Sequence, residues 1–267
     1  YEGTLNLPPG CGNDWILSWS LCCRNNAITD LTSPGNQSTY IQVCLDNTVS
    51  PCNNSPVFLN DPTPFYCVNQ QVNYNHGVFD VDGDSLVFEN ICCQQAANQP
   101  VNYASGFSCA QPFATTAGGP LTVNSVNGDI RFFPNQTQIG VMAVRINEYR
   151  NGQLIGCVVR DMQFTIINCS NQLPTATGFN GGNNYNVTIP ACTTACYTIN
   201  SADADAGQVV TMISNNSIPG STFTSTGSPY PTGTFCWTTT PNDVGTHSFT
   251  ITVKDNNCPL IGSNTYA

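Results

Sequence analysis

The chain has 267 residues, of which only 8% are charged, and a formal net charge of −10 with Lys254 as its single lysine. That balance repels phosphate backbones and anionic lipid and argues against nucleic-acid binding, while no apolar run approaches membrane-spanning length. Fifteen cysteines, none in C-x-x-C spacing, argue against a thiolate metal site and for a disulfide framework in an oxidising, extracellular setting.

Length sets a prior of two domains and a fragment. The start at Tyr1 without Met reads as a processed protein or an excerpt. Strands are predicted first near Thr4–Leu7, Trp15–Ser20, Ala27–Leu31 and Tyr40–Leu45. Trp15 and Trp19 share parity within one run, so they share a face, expected to be the buried one. Cys22-Cys23 and, further on, Cys92-Cys93 are adjacent pairs. Neighbours on a strand point to opposite faces, so each cysteine is expected to bond a different partner. An odd cysteine count leaves at least one free or bonded to another chain.

A boundary falls at Asn54-Ser55-Pro56. The run Phe79-Asp80-Val81-Asp82-Gly83-Asp84-Ser85 follows, then an insertion around Cys92 to Leu121, then alternating strands over Gly140–Ile146 and Val158–Ile167. A second boundary falls at Asn171-Gln172-Leu173-Pro174. Beyond it come strands over Tyr185–Ile189, Thr234–Thr239 and Thr246–Val253. No stretch holds a helical period. Regularly spaced strands bounded by Gly, Pro, Asn and Asp predict an all-β chain of tandem sandwiches, divided into 1–55, 56–170 and 171–267. The first module looks partial. The last is expected to lack its final strand, which leaves an open sheet edge for a neighbouring chain or a longer chain to fill.

Two modules repeat an order of unlike signposts. Asp80-Val81-Asp82 is followed by Pro134-Asn135, Glu148 and Leu154-Ile155-Gly156; Asp203-Ala204-Asp205 is followed by Pro241-Asn242, Asp255 and Leu260-Ile261-Gly262. From proline to acid is fourteen residues both times. This is the signature of a repeated unit. Closely spaced carboxylates beside a turn glycine are a donor set for calcium. The candidate ligands are Asp80, Asp82, Asp84 and Glu148 in the first copy and Asp203, Asp205 and Asp255 in the second, with the first copy the richer. Ile91 stands where an EF-hand needs a bidentate Glu, so this is no EF-hand. The plainer reading is that Asp and Gly simply make good turns.

Other chemistry is sparse. His76 and His247 are the only histidines; the first reads as a turn residue and the second as a strand face residue. No nucleophile elbow, zinc-protease helix or phosphate loop is present, so no enzyme is expected. Trp237 beside Cys196–Cys236, read as a strand-to-strand bridge, suits a sandwich core; Cys192–Cys258 is the expected tie from the start of the last module to its penultimate strand. Asn36, Asn135 and Asn186 head Asn-x-Ser/Thr sequons, which chance supplies freely in so Asn-rich a chain.

The runs Tyr1-Glu2-Gly3-Thr4, Asp14-Trp15, Cys22-Cys23-Arg24-Asn25, Ser55-Pro56-Val57-Phe58, Asp82-Gly83-Asp84-Ser85-Leu86, Glu148 to Gly156 and Arg160-Asp161-Met162-Gln163-Phe164 resemble large repetitive cell-surface proteins of Bacteroidota. These are the gliding-motility-associated or PKD-like substrates of type IX secretion. Phe235-Cys236-Trp237 and Val253-Lys254-Asp255 extend the resemblance into the last module. It implies immunoglobulin-like (PKD- or cadherin-like) sandwiches, secretion to the cell surface, and work as a filament by self-association or as a glycan- or surface-binding adhesin. It also implies Ser85 as an O-glycosylation candidate.

Overall fold

The computed structural model describes residues 7–8, 15–60, 65–258 and 260–267. Its centre is a long hairpin, Gln138–Arg150 against Gln153–Ile167. Asn151 and Gly152 turn it with φ of 53° and 77°, the left-handed pair that matches the twist of the flanking strands. Met142, Val144, Ile146, Met162, Phe164 and Ile166 face one way and pack on Tyr66, Val72, Tyr74, Phe113, Ile130 and Phe132. Val141, Ala143 and Val159 face the other way and pack on Ile28, Leu31, Cys93 and Val101. Both faces are covered, so the hairpin reads as nearly continuous apolar sequence rather than as an alternation.

Residues 15–45 do not form a module of their own. Thr39–Leu45 pairs with the hairpin through Gly156↔Leu45, Cys157↔Cys44 and Val158↔Val43, and Trp15–Leu21 pairs onto Thr39–Leu45. The predicted first unit is thus the edge of the middle module's sheet. Its loops cover one face of the hairpin, and Arg24 clamps them with a bidentate pair to Asp161 at 3.0 and 2.6 Å. The predicted strand over Ala27–Leu31 is a turn followed by a single bridge to Tyr103. Most of Thr4–Leu7 lies outside the described residues. Trp15 and Trp19 do share the face of Val43 and Val158. The covering layer of Val72–Tyr74, Ile130–Phe132 and Thr122–Val123 stops short of them, and Trp19 stays 50% exposed.

The last module is a sandwich of two sheets. One holds Thr175–Ala176, Thr194–Ala202, Thr232–Thr238 and Ser221–Thr226; the other holds Thr211–Ser214, Ile251–Lys254 and Ser263–Tyr266. Ile199, Val210, Met212, Ile251 and Val253 fill its core. A further strand, Ser263–Tyr266, follows the second acidic turn. It pairs with Ile251–Lys254, and its Asn264 accepts from Asn73 N at 3.3 Å and donates to Pro174 O at 2.9 Å. Polar Ser-Asn-Thr hides this strand from a hydropathy reading. Tyr185–Ile189 is irregular, and the predicted Thr246–Val253 strand is regular only over 251–253.

Five disulfides are formed: Cys22–Cys23, Cys44–Cys157, Cys67–Cys169, Cys92–Cys109 and Cys196–Cys236. Cys11 lies outside the described residues. Cys22 joins its neighbour, against expectation, because the strand ends at Leu21 and strand alternation no longer applies. Cys92 does bond elsewhere, while Cys93 is a buried free thiol. Cys196 and Cys236 are directly opposed, Cα atoms 4.1 Å apart, with Trp237 buried beside them. Cys192 and Cys258 are exposed and unpaired. Cys192 precedes Thr194–Ala202 and Cys258 lies near the acidic turn at that strand's far end. Nine residues at about 3.3 Å each separate them, far beyond disulfide reach.

Candidate calcium sites at two acidic turns

In the first turn, Asp80 Oδ1 accepts from the backbone N–H of Asp82 (2.9 Å) and Asp84 (3.0 Å). Gly83, at φ 83°, supplies the left-handed step. The turn is thereby wound around one carboxylate oxygen, and donor atoms of Asp80, Asp82 and Asp84 fall within 4.8 Å of one another. Glu148 comes in from the end of the long hairpin. It is 1% exposed and its Oε2 accepts from Asn53 Nδ2 at 2.6 Å. Burial pushes its carboxyl up to about 7; Asn53 opposes the shift, and the charges of Asp80, Asp84 and Asp82 add to it. Burial also raises Asp80, whereas Asn54, donating through N (2.7 Å) and Nδ2 (2.8 Å), lowers Asp82.

A cation already stands among these acids. Arg150 donates Nε and Nη2 to Asp84 at 2.7 and 2.6 Å, and Nη2 to Asp82 at 3.4 Å and Asn53 Oδ1 at 3.0 Å. Nη1 reaches Ser50 Oγ and Cys52 O. The hydrogen bond to Asp84 raises the guanidinium further.

The second turn repeats this wiring. Asp203 Oδ1 accepts from Asp205 N at 2.8 Å. Asp205 accepts from Gln172 N at 2.6 Å, as Asp82 does from Asn54 N. Asp255, 4% exposed, accepts from Asn171 Nδ2 at 2.7 Å, as Glu148 does from Asn53. Gly156 and Gly262 lie against these two acids, each where a Cβ would press on the carboxylate. Arginine is replaced by an amide: Gln208 Nε2 bridges Asn171 Oδ1 (2.7 Å) and Asp205 Oδ2 (3.2 Å). Among the described residues no Lys or Arg pairs with Asp203, Asp205 or Asp255, and in both turns the first aspartate, Asp80 or Asp203, keeps a buried Oδ2 with no hydrogen-bond partner. Among the described residues only the first set brings three acidic donor atoms within 4.8 Å of one another, but a calcium ion there must displace Arg150, a cation with no counterpart in the second set.

The sequence reading missed Asn53, Asn171, Arg150 and Gln208. Both asparagines stand three residues before the linker proline, a spacing that was there to be found. The other candidates scatter. Ser85, Asn36 and Asn186 are exposed, and Asn135 is exposed but spends Nδ2 on Thr115 O. His76 is a core residue, not a turn residue. Arg160 lies 3.3 Å from its Nδ1, rings of Phe58 and Tyr74 flank it, and burial with the Arg160 charge pushes it down to about 3. His247 is exposed outside any strand, against Asp243 O and Trp237. Burial raises the Cys93 thiol, the opposite of nucleophile activation.

No known family profile matches the chain, and no curated protein does. Solved structures similar to it include protocadherin gamma B7 extracellular cadherin domains 1–4 (12% identity, TM-score 0.27, 96% of this chain and 64% of that one). Protocadherin gamma B2 cadherin domains 1–5 give 12%, 0.27, 96% and 51%. Dpr2 Ig1-Ig2 in complex with DIP-Theta Ig1-Ig3 gives 11%, 0.23, 84% and 70%. The chain thus spans under two thirds of either protocadherin fragment. Its own sheets make it an all-β, disulfide-stapled pair of sandwiches, and among the described residues no helix is long and apolar enough to cross a membrane.

Proposed function

We propose that the chain is a non-enzymatic segment of an extracellular structural protein whose repeated sandwiches build a surface fibre. One observation carries this reading: each module grips the linker before it with the same atoms. Asn53 is held by Glu148 and Asn54 by Asp82; Asn171 is held by Asp255 and Gln172 by Asp205. The lead-in segment is fixed in the same way both times, and at residues 171–172 it joins two modules; a joint of set geometry is what a stiff array needs and a lone catalytic domain does not. The five disulfides support an oxidising compartment. The resemblance to type IX secretion substrates of Bacteroidota points to the cell surface. Calcium, held by Asp203, Asp205 and Asp255, would tighten the second grip. Electron microscopy of native material tests the reading. Filaments or regular rods are expected; discrete, unassociated particles would overturn it. A second reading, a carbohydrate- or surface-binding adhesin, draws on a polar cleft where the two sandwiches meet.

A further inference from the structure

A cleft of about 420 Å³ opens where Thr122–Val123 and the hairpin after it meet the Tyr185–Asn186 loop of the last module. Its size falls within the range of small-ligand sites. Its floor is wired in advance. Asp129 is 5% exposed and accepts from Asn75 Nδ2 at 2.9 Å, Asn127 Nδ2 at 3.3 Å and Arg131 Nη2 at 2.9 Å. Arg131 is pinned by that one nitrogen; its Nε and Nη1 make no hydrogen bond among the described residues, and its side chain is 45% exposed. From the other module comes Tyr185, stacked on Tyr266 at 5.7 Å and 5° and anchored by its hydroxyl to Ala176 O at 3.1 Å. Asn124, Asn127 and Asn186 supply amides.

We propose that this cleft binds a hydroxyl-rich ligand, a neutral saccharide, across the two modules. Amides, a carboxylate and a guanidinium offer both donors and acceptors in fixed planes, which suits vicinal hydroxyls. A fixed aromatic ring offers the one apolar surface that a sugar's C–H face needs. The ion pair is internally neutral, so no net charge selects an anion. An apolar ligand would find Val123, Tyr185 and Ala267 set among six polar or charged residues. A peptide strand would find a two-residue edge in Thr122–Val123, too short for strand addition. The proposal rests on the adhesin reading and is independent of fibre assembly.

The test is calorimetric titration of the whole chain with cellotetraose, chitotetraose and mannotetraose, and with tetragalacturonate as the anionic comparison. At least one neutral tetrasaccharide should bind, and Arg131→Ala and Tyr185→Ala should each weaken it tenfold or more. Tyr185 also packs, so Asn186→Trp serves as a second variant; it fills the cleft without removing any side-chain hydrogen bond of the described residues, and should abolish binding with the melting temperature unchanged. Binding that survives Asn186→Trp and Arg131→Ala would overturn the cleft and leave the adhesin reading standing. Binding of tetragalacturonate alone would overturn the neutral-ligand assignment. No binding of any probe at millimolar concentration would overturn both.

Discussion

Arg150 and Gln208 do the same geometric work with different charge. Each bridges a linker asparagine and the second aspartate of its turn. The first brings a permanent cation, the second only an amide dipole. Titration with calcium should therefore give one equivalent per chain, lost in Asp203→Asn/Asp255→Asn. Arg150→Gln, which frees Asp82 and Asp84, should give two. A chelator should lower the melting temperature of the parent chain; no change would remove calcium from the account. Acidity is set residue by residue as well. Asp30 is fully buried, with Oδ2 accepting from Val141 N at 2.9 Å and Oδ1 unpartnered. Burial pushes it up to about 7, and Glu148 lies as high. A carboxyl raised in the folded state binds its proton more tightly there than in the unfolded chain. Stability is then greatest below about pH 4 for these two groups and is lost as pH rises toward 7. Asp30→Asn should flatten that slope, measured by denaturant unfolding between pH 4 and 8. Aspartates in a turn were legible from the sequence. The cation among them was not, because Arg150 lies sixty-six residues from Asp84 and only the pairing of Gln138–Arg150 with Ser85–Ile91, Tyr149 opposite Ser85, brings it back.

Elements show the same division. The long hairpin was readable in its Val, Ile and Phe content and in Asn151-Gly152, but its two-sided burial was not, since periodicity cannot say what covers the second face. Covering comes from residues 28–31 and 93–101, which read as a short strand and an insertion. Ser263–Tyr266 went unread for the opposite reason: its side chains are polar and buried, satisfied by Thr252 and Pro174 of its own module and by Asn73 of the neighbouring one. Glycine at the start of that strand is a steric matter. A Cβ at Gly262 would press on Asp255 and Asn171, the pair that holds the linker. Gly262→Ala should cost about 2 kcal/mol by overpacking, measured by urea unfolding, and should weaken calcium binding in the same step. Gly262→Ala at parent stability would show that the acid has room to move.

At the scale of the molecule, contacts between modules run along their sides as well as through the linker. Gln70 donates to Asn171 O and accepts from Leu173 N, Asn60 reaches Thr250, and Asn264 meets Asn73. The boundary drawn near 55 separates a sheet from its own edge strands. Sequence repeats mark where a unit recurs, not which neighbours complete its sheet. Cys44–Cys157 makes that completion covalent, and it has a mechanical meaning. When the chain is pulled from its ends, tension arriving at Cys44 crosses directly to Cys157 and bypasses everything between. The 113-residue separation corresponds to a contour of roughly 400 Å that force cannot pay out while the bond is intact. Pulling single molecules under oxidising conditions should therefore release a short length, and adding reductant should lengthen the trace by about that amount plus roughly 140 Å from the 40-residue Cys196–Cys236 loop. A strand clipped to the edge of a sheet thus acts as a stop on extension, and the middle sandwich can stay folded in a chain under strain.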